Sequence, residues 1–331
     1  MYTLYLGIDI AADSFAAHWQ LDDQTQHGSG AFQQNERAYR RLHKQLCVLA
    51  EPTETLVVLE ATGNYWFALA LFLHEQGYAV SVINPVRARR FAQMQLQHTK
   101  TDAVDAALLC DFARMVSPEL WTPPPAICHQ LRQYLERRDD LLHMRTQERN
   151  RLHAMRHDPL ADPALRSDLE AHIVYLTQQI DRLTHRIEQT LAQDSVWQRA
   201  SQRILTIPGI GPITTAWLLV ATHCFTRCQT PAEAASFAGL VPHKQQSGRS
   251  LSRASIKGGH PKLRQSLYMA AGAAIQFNPT LKAFFHKKVS QGKIKQVARI
   301  AVARKLVHYA WACVVKERDF DPNFGQQANA A

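Results

Sequence analysis

The chain has 331 residues, of which 46% are hydrophobic, and a formal net charge of +10 at neutral pH. This length and composition exclude a disordered or fibrous chain and allow two or more domains with apolar cores. The N-terminus lacks a basic segment before a long apolar run, and no apolar stretch could span a membrane. The six cysteines are scattered and do not form a secreted disulfide scaffold. We therefore expect a cytoplasmic protein with no membrane partner.

Residues 1–121 alternate strand and helix patterns. Three short strands are predicted in "TLYLGIDIA", "FAAHWQLD" and "GSGAFQQ", followed by a helix in "ERAYRRLHKQLCVLA". A strand in "TLVVLEATG", a helix in "NYWFALALFLHEQGY" and a strand in "AVSVINP" come next, and two helices follow at about 86–97 and 101–116. This order is typical of the ribonuclease H-like α/β fold, a mixed sheet with helices on its faces.

The stretch "KTDAVDA" places two acids, Asp102 and Asp105, three residues apart on one helix face. Like charges at this spacing repel unless a cation lies between them. Asp9 lies in the first predicted strand and Glu60 at the end of the fourth. In a ribonuclease H-like fold these positions meet at one edge of the sheet, where the four carboxylates would hold two Mg²⁺ ions. We therefore predict a metal-dependent site for phosphoryl chemistry.

A structural interpretation of the same acids remains open. Asp102 and Asp105 alone are more often a solvated helix face, and Glu60 alone could cap the following helix. The neighbouring Ala103 and Ala106 are small, so we expect them to let this helix lie close to the sheet.

The run "TPPPA" at 122–126 predicts a domain boundary, because successive prolines disrupt both helices and strand ladders. Residues 126–196 contain two long helical patterns, the first at about 128–155. The second has an apolar seam of coiled-coil type, in which the helices could pack against each other or against another subunit. The seam consists of Leu169, Ile173, Leu176, Ile180, Leu183, Ile187 and Leu191.

Residues 197–322 are predicted to form a mainly helical third domain, followed by a tail at 323–331. Residues 201–331 hold 18 Lys and Arg against 4 Asp and Glu, whereas residues 1–120 hold 9 against 13. Such a concentration of positive charge indicates a polyanionic partner, most simply nucleic acid.

Two motifs in this C-terminal domain could contact phosphates. "ILTIPGIGPITTAWLLV" has the pattern of a helix-hairpin-helix, in which Gly209 and Gly211 would let backbone N–H groups approach a phosphate; a tight helix–helix turn is the alternative. "HKQQSGRSLSRASIKGGHPKLRQ" is expected to be a loop that binds phosphates. Its basic candidates are Lys244, Arg249, Arg253, Lys257, Lys262 and Arg264.

The motifs "GIDIA", "LEATGNYW", "INPVRARRFAQ", "KTDAVDA", "IPGIG", "FAGLVP" and "SGRS...KGGHPKLRQSLYMAA" occur in order along nearly the whole chain. Together they closely resemble the DEDD-type insertion-sequence transposases, a family that includes the pilin-gene invertases and the bridge-RNA-guided recombinases. One departure is Ala12, where many relatives have lysine.

The resemblance implies a RuvC-like domain that carries the four acids, a coiled-coil linker and a transposase domain with a helix-hairpin-helix. It further implies that Ser247 attacks DNA and forms a covalent serine–phosphate link. On chemistry alone Ser250, Ser252 and Ser255 also remain candidates, and cationic neighbours would stabilise charge at the phosphate.

The partners implied by the resemblance are donor and target DNA, a structured noncoding guide RNA, and further copies of the chain in a dimer or tetramer. Two alternatives remain open. One is a RuvC-like junction nuclease that uses the four acids, Mg²⁺ and water. The other is a non-catalytic nucleic-acid-binding scaffold.

Overall fold

The computed structural model describes residues 2–23, 25–96, 101–244 and 254–322. The chain divides into two compact units, Met1–Pro123 and Pro124–Ala331, and the division falls within the proline run. None of the helices in these described ranges is both long and apolar enough to cross a membrane.

The first unit is a mixed α/β structure. Its strands and helices run in the order expected from the sequence, except that the third helix ends at Met94 rather than near residue 97. The elements are β1 (Leu4–Ile10), β2 (Ser14–Leu21), β3 (His27–Gln33), α1 (Glu36–Leu46), β4 (Thr55–Glu60), α2 (Trp66–Glu75), β5 (Ala79–Ile83), α3 (Pro85–Met94) and α4 (Asp102–Val116), with a 3₁₀ turn at Pro52–Glu54.

The five strands form one sheet in the order β3-β2-β1-β4-β5. β1 and β2 are antiparallel, as are β2 and β3, because each pair is joined by a short hairpin. β1 pairs in parallel with β4, and β4 pairs in parallel with β5. The carboxyl ends of β1 and β4 therefore lie at the same end of the sheet.

Alternation along β1 separates the two faces of the sheet. Its even-numbered residues from Leu4 to Ile10 belong to a core that also contains residues of α1 and α2, such as Leu42 and Leu69. Tyr5 instead belongs to a second core, with residues of α3 and α4. Gly7 and Asp9, at odd positions, thus share the face that α3 and α4 cover.

At Gly7 a helix comes very close to this face of the sheet. A β-carbon added there would lie 2.1 Å from the carbonyl oxygen of Ala106 and 2.2 Å from the backbone nitrogen of Cys110. Ala106 is buried at this contact. Ala103 is exposed, so the expectation that it also lies against the sheet is wrong. The absence of a side chain at Gly7 lets the α4 backbone rest on β1.

The second unit is mostly helical. Its described elements are α5 (Ala126–Met155), α6 (Pro163–Gln193), α7 (Ser195–Leu205), α8 (Pro212–Thr222), α9 (Pro231–Phe237), β6 (Pro242–Lys244), β7 (Ala254–Ile256), α10 (Pro261–Phe277), α11 (Pro279–Ser290) and α12 (Lys295–Val315).

α5 and α6 pack against each other as an antiparallel pair. Arg138 donates a hydrogen bond to Thr184, and Arg145, further along α5, donates to the earlier Thr177. Between these bonds Leu141 is buried in one apolar cluster with residues of α6. Much of the predicted apolar seam of α6 is therefore covered within the same chain.

The base of this helix pair continues into the main core of the second unit. Leu131 of α5 and Ile187 of α6 belong to the same buried cluster as most of α8. α8 is buried from Thr214 to Thr222 and forms the centre of this core. The two long helices and the helices that follow them thus form one compact unit.

Short paired strands bound the segment expected to be an open loop. β6 and β7 are antiparallel, with Pro242 opposite Ile256 and Lys244 opposite Ala254. The expectation of a loop throughout 243–265 is therefore wrong for the residues of β6 and β7, which pair as strands, and for 261–265, which begin α10.

We expect Gly7→Ala to destabilise the first unit by about 1–3 kcal/mol, because the new methyl group must displace the α4 backbone. Thermal and urea unfolding would measure the loss. Gly211→Ala is the matched control, since no atom lies within 4 Å of the added carbon. Equal stability of Gly7→Ala and the unchanged protein would contradict the contact.

Candidate active site

Asp9 and Glu60 are brought together by strand pairing. The last paired residues of β1 and β4 are Ile8 and Leu59, so the same register continued by one residue sets Asp9 beside Glu60. Neighbouring strands lie about 4.8 Å apart. Glu60 alternates with Leu59, whose side chain is in the opposite core, and so shares the α4 face of the sheet with Asp9.

Asp102 and Asp105 reach the same place because α4 runs antiparallel to β1. The thiol of Cys110 lies 3.3 Å from the carbonyl oxygen of Tyr5, whereas the earlier Ala106 lies against Gly7. Two strand residues span about 6.6 Å and one helical turn spans about 5.4 Å. One turn before Ala106, the first turn of α4 therefore lies near the carboxyl end of β1, where Asp9 is found.

The electrostatics of Asp9 indicate that the other three acids lie near it. Burial is the largest cause that raises the pKa of Asp9, to about 6. Negative charge on its neighbours raises that pKa further, in the order Asp105, Asp102 and Glu60. Each of the three carboxylates is thus close enough to disfavour the charged form of Asp9.

Local structure offsets part of the repulsion. Thr101 caps α4 and accepts a hydrogen bond from the backbone N–H of Val104, which leaves both Asp102 and Asp105 in the first helical turn. Negative charge in the first turn interacts favourably with the helix dipole, by about 0.3–1 kcal/mol. The hydroxyl of Thr62 donates to Glu60 over 2.8 Å.

The donor set fits a hard divalent cation in chemistry but is not arranged as a finished coordination shell. All four groups offer carboxylate oxygens, which Mg²⁺ and Ca²⁺ prefer. Yet among the described residues no three His, Cys, Asp or Glu side chains are grouped so that they could hold a metal ion. Coulombic repulsion acts over longer distances than a metal–oxygen bond of about 2.1 Å, so the two observations are compatible.

Several candidates of the second unit lie in or beside the segment between β6 and β7. Ser247, Ser250, Ser252, Arg249 and Arg253 fall outside the described residues. Lys244 ends β6, Ser255 lies in β7, and Lys257 follows β7 as an exposed residue.

The two glycines of the helix-hairpin-helix motif have different surroundings. Gly209 has φ +103°, and a β-carbon there would lie 2.5 Å from the backbone of Ala274, so it permits close packing on α10. Gly211 is exposed at the start of α8, with no atom within 4 Å of an added β-carbon. Only Gly211 has open space in which to approach a phosphate.

Two basic candidates near α10 have contacts inside the protein. Lys262 forms an ion pair with Asp139 over 3.1 Å. The guanidinium of Arg264 donates to the carbonyl oxygen of Gly258 over 2.6 Å and so fixes the turn before α10. The side chain of Lys262 is half-exposed, and Arg264 is partly exposed.

Sequence reasoning missed Gly7 and Thr62. A glycine inside a β-branched and apolar strand is the signal that could have indicated a close backbone approach at Gly7. A hydroxyl two residues after Glu60 carries a weaker signal, because threonines are common in turns.

Comparison with known proteins gives matches over most of the chain. The family model DEDD_Tnp_IS110, described as "Transposase", matches residues 6–156, and a model described as "Transposase IS116/IS110/IS902 family" matches residues 201–286. The pilin gene-inverting protein of Moraxella bovis is 31% identical over 326 residues, which cover 97% of this chain and 98% of that protein. The transposase for insertion sequence element IS1328 of Yersinia enterocolitica is 25% identical over 335 residues, covering 92% of this chain and 95% of that protein.

We expect Asp105→Asn to lower the pKa of Asp9 from about 6 towards its ordinary value, because a neighbouring negative charge is lost. Carboxyl-carbon NMR titration in metal-free buffer would measure it, with Asp13→Asn in the exposed hairpin after β1 as the control.

The same shift sets the sign of a pH effect on stability. The folded carboxyl of Asp9 keeps its proton up to about pH 6, whereas the unfolded one loses it near pH 4. Its contribution to the free energy of unfolding therefore falls as the pH rises through this window, and Asp9→Asn should remove that fall. An unchanged Asp9 pKa in Asp105→Asn would contradict the grouping.

Proposed function

Because this chain belongs to the IS116/IS110/IS902 family of transposases, which act on DNA, we propose that it cleaves and rejoins DNA through a covalent serine–phosphate intermediate. The observation that carries the proposal is that the β1–β4 register and the contact of α4 with Gly7 place Glu60, Asp102 and Asp105 near Asp9. Like-charged, partly buried carboxylates cost stability, and such groups are characteristic of functional sites.

Ser247 is the proposed nucleophile. Its hydroxyl oxygen loses its proton and forms a bond to a backbone phosphorus, the bond from that phosphorus to a sugar oxygen breaks, and the sugar oxygen takes up a proton. A sugar hydroxyl of another DNA end then attacks the serine-linked phosphorus, which releases the serine and reseals the strand. The paired ends of β6 and β7 support this role, since they anchor the segment that carries Ser247.

The proposed role of Asp9, Glu60, Asp102 and Asp105 is to hold Mg²⁺ next to the reacting phosphate. When bound there, Mg²⁺ supplies positive charge that stabilises the attacking and leaving oxygens in phosphoryl transfer. The carboxylates would have to draw together from their present positions. The side chain of Asp102, at the start of α4, is exposed to solvent.

Two architectural assignments are part of the proposal. The order β3-β2-β1-β4-β5, with a parallel β1–β4 pair and acids at its carboxyl end, supports a ribonuclease H-like, RuvC-like first unit. The antiparallel pairing of α5 with α6 supports a coiled-coil arm that projects from the second unit.

Recognition of DNA through a guide RNA and assembly into a dimer or tetramer complete the proposal. The basic second unit, with 18 Lys and Arg against 4 acids in residues 201–331, suits backbone contacts of either nucleic acid. Recovery of one discrete RNA with the purified protein would separate guidance by RNA from reading by the protein alone. Light scattering would give the oligomer number.

We expect Ser247→Ala to abolish a protein–DNA adduct that survives denaturation, because the attacking hydroxyl is lost. Labelled donor DNA on a denaturing gel would detect the adduct. Ser250→Ala and Ser255→Ala are matched controls that should keep it. Strand cleavage without any adduct would favour a hydrolytic junction nuclease that uses the acids alone. Binding without cleavage under all conditions would favour a scaffold.

We expect Asp102→Asn to lower the rate of strand cleavage by at least about a hundredfold, while the affinity for DNA changes little, since the carboxylate acts on the reacting phosphate. In the unchanged protein, chelation of divalent ions should lower the rate of strand cleavage in the same way, and added Mg²⁺ should restore it. Asp111→Asn, nine residues after Asp102 on the same helix, is the control. Full activity of Asp102→Asn without divalent ions would refute the metal role.

A further inference from the structure

The outer face of α1 carries a cluster of cations in a unit that is otherwise rich in acids. Arg37, Arg40, Arg41 and Lys44 are all exposed and lie within one arc of the helix, opposite the buried residues such as Leu42. They are four of the nine Lys and Arg in residues 1–120, where acids number thirteen. Outer helix faces usually mix both signs, so this segregation needs a reason.

This basic face lines a groove. The groove has a volume of about 1030 Å³ and lies between α1 and β3, which is the edge strand of the sheet. The acid on its wall, Glu36, pairs with Arg40, so the remaining charge is strongly positive. Arg41 lies over the ring of Phe32, 4.8 Å from its centre, which positions the guanidinium at the groove.

The β3–α1 connection, at one end of the groove, lies at the end of the sheet where the four carboxylates lie, although α1 packs on the opposite face from them. Gln34, between β3 and α1, donates from its side chain to the carbonyl oxygens of Ala11 and Tyr65, over 3.3 and 3.2 Å. Ala11 follows Asp9 by two residues, and Tyr65 lies in the connection after Glu60. Hydrogen bonds thus join the start of the basic face to both loops that leave the acidic site.

We propose that this groove binds the phosphate backbone of duplex DNA and leads it towards the carboxylates around Asp9. Arg37 and Lys44 are seven positions apart in the sequence, so their Cα atoms lie about 10 Å apart along the helix axis. Along a DNA duplex that length spans about three phosphates of one strand. The long side chains of the face are therefore spaced to contact successive phosphates without reading bases.

A duplex fits this groove better than a single strand. Single-stranded nucleic acid is usually bound with bases stacked on exposed aromatic rings. The aromatic residue of the groove, Phe32, is 4% exposed, stacks on Phe15 and is covered by Arg41. The groove therefore offers charge rather than a stacking surface.

The test compares two charge-neutralised full-length proteins. Arg37→Gln with Lys44→Gln removes two cations of the face, and Arg89→Gln with Arg90→Gln removes two exposed cations of α3. Binding of a short labelled DNA duplex of random sequence is measured by anisotropy over a salt series. We expect the α1 pair to weaken binding roughly tenfold and to reduce the slope of log K against log salt by about 1.8, whereas the α3 pair changes little. Arg37→Lys with Lys44→Arg should restore binding.

Equal losses in the two pairs would mean that only the total charge matters, and would overturn the proposal. If the α1 pair weakened the binding of a structured RNA but not the binding of the DNA duplex, the proposal would also be overturned, because the groove would then bind RNA. An unfolding midpoint equal to that of the unchanged protein excludes misfolding as the cause.

The approach to the carboxylates rests on the proposed function, and cleavage kinetics separate the two. The α1 pair should raise the DNA concentration needed for half-maximal cleavage while the maximal rate is kept. Asp102→Asn should do the reverse. A lower maximal rate for the α1 pair at saturating DNA would place these residues in the chemistry and overturn their role in positioning. Failure of Asp102→Asn to affect cleavage would refute the metal site and leave the binding result intact.

Discussion

The contact between Gly7 and the backbone of α4 is the constraint on which the candidate site depends. With no side chain at Gly7, the helix at Ala106 and Cys110 lies directly on β1. Because the helix is antiparallel to the strand, this contact fixes the distance from the first turn of α4 to the end of β1. A bulkier residue at Gly7 would move Asp102 and Asp105 away from Asp9.

The acidic group lowers the stability of the fold, and this loss of stability indicates that the acids serve a function. Burial and three negative neighbours raise the pKa of Asp9 to about 6, so at neutral pH the fold holds charge that it would be more stable without. The helix dipole at the first turn of α4 and the hydroxyl of Thr62 compensate only in part. Such residues persist where function requires them, and phosphoryl transfer with a divalent ion is a function that uses this charge.

A group of carboxylates also repels DNA, so a site of this kind needs positive charge nearby. The basic face of α1 would supply positive charge within the first unit, although most of the Lys and Arg residues of the chain lie in the second unit. Gln34 joins the beginning of that face to the loops after Asp9 and Glu60. The arrangement would let the unit that carries the acids hold the phosphate backbone itself.

The sequence by itself determined the elements of the first unit, the identity of the acids and the helical character of the second, because alternation and helical periodicity are local patterns. It predicted that the four acids meet only through the fold class that the order of elements indicated, since their meeting depends on the parallel register of β1 with β4, between residues about fifty apart in the chain such as Leu4 and Thr55. The packing of α5 on α6, the pairing of β6 with β7, and the groove beside α1 were decided by tertiary structure for the same reason. Each is a contact between distant segments, and its free energy depends on how backbones and side chains fit together, which no local pattern specifies.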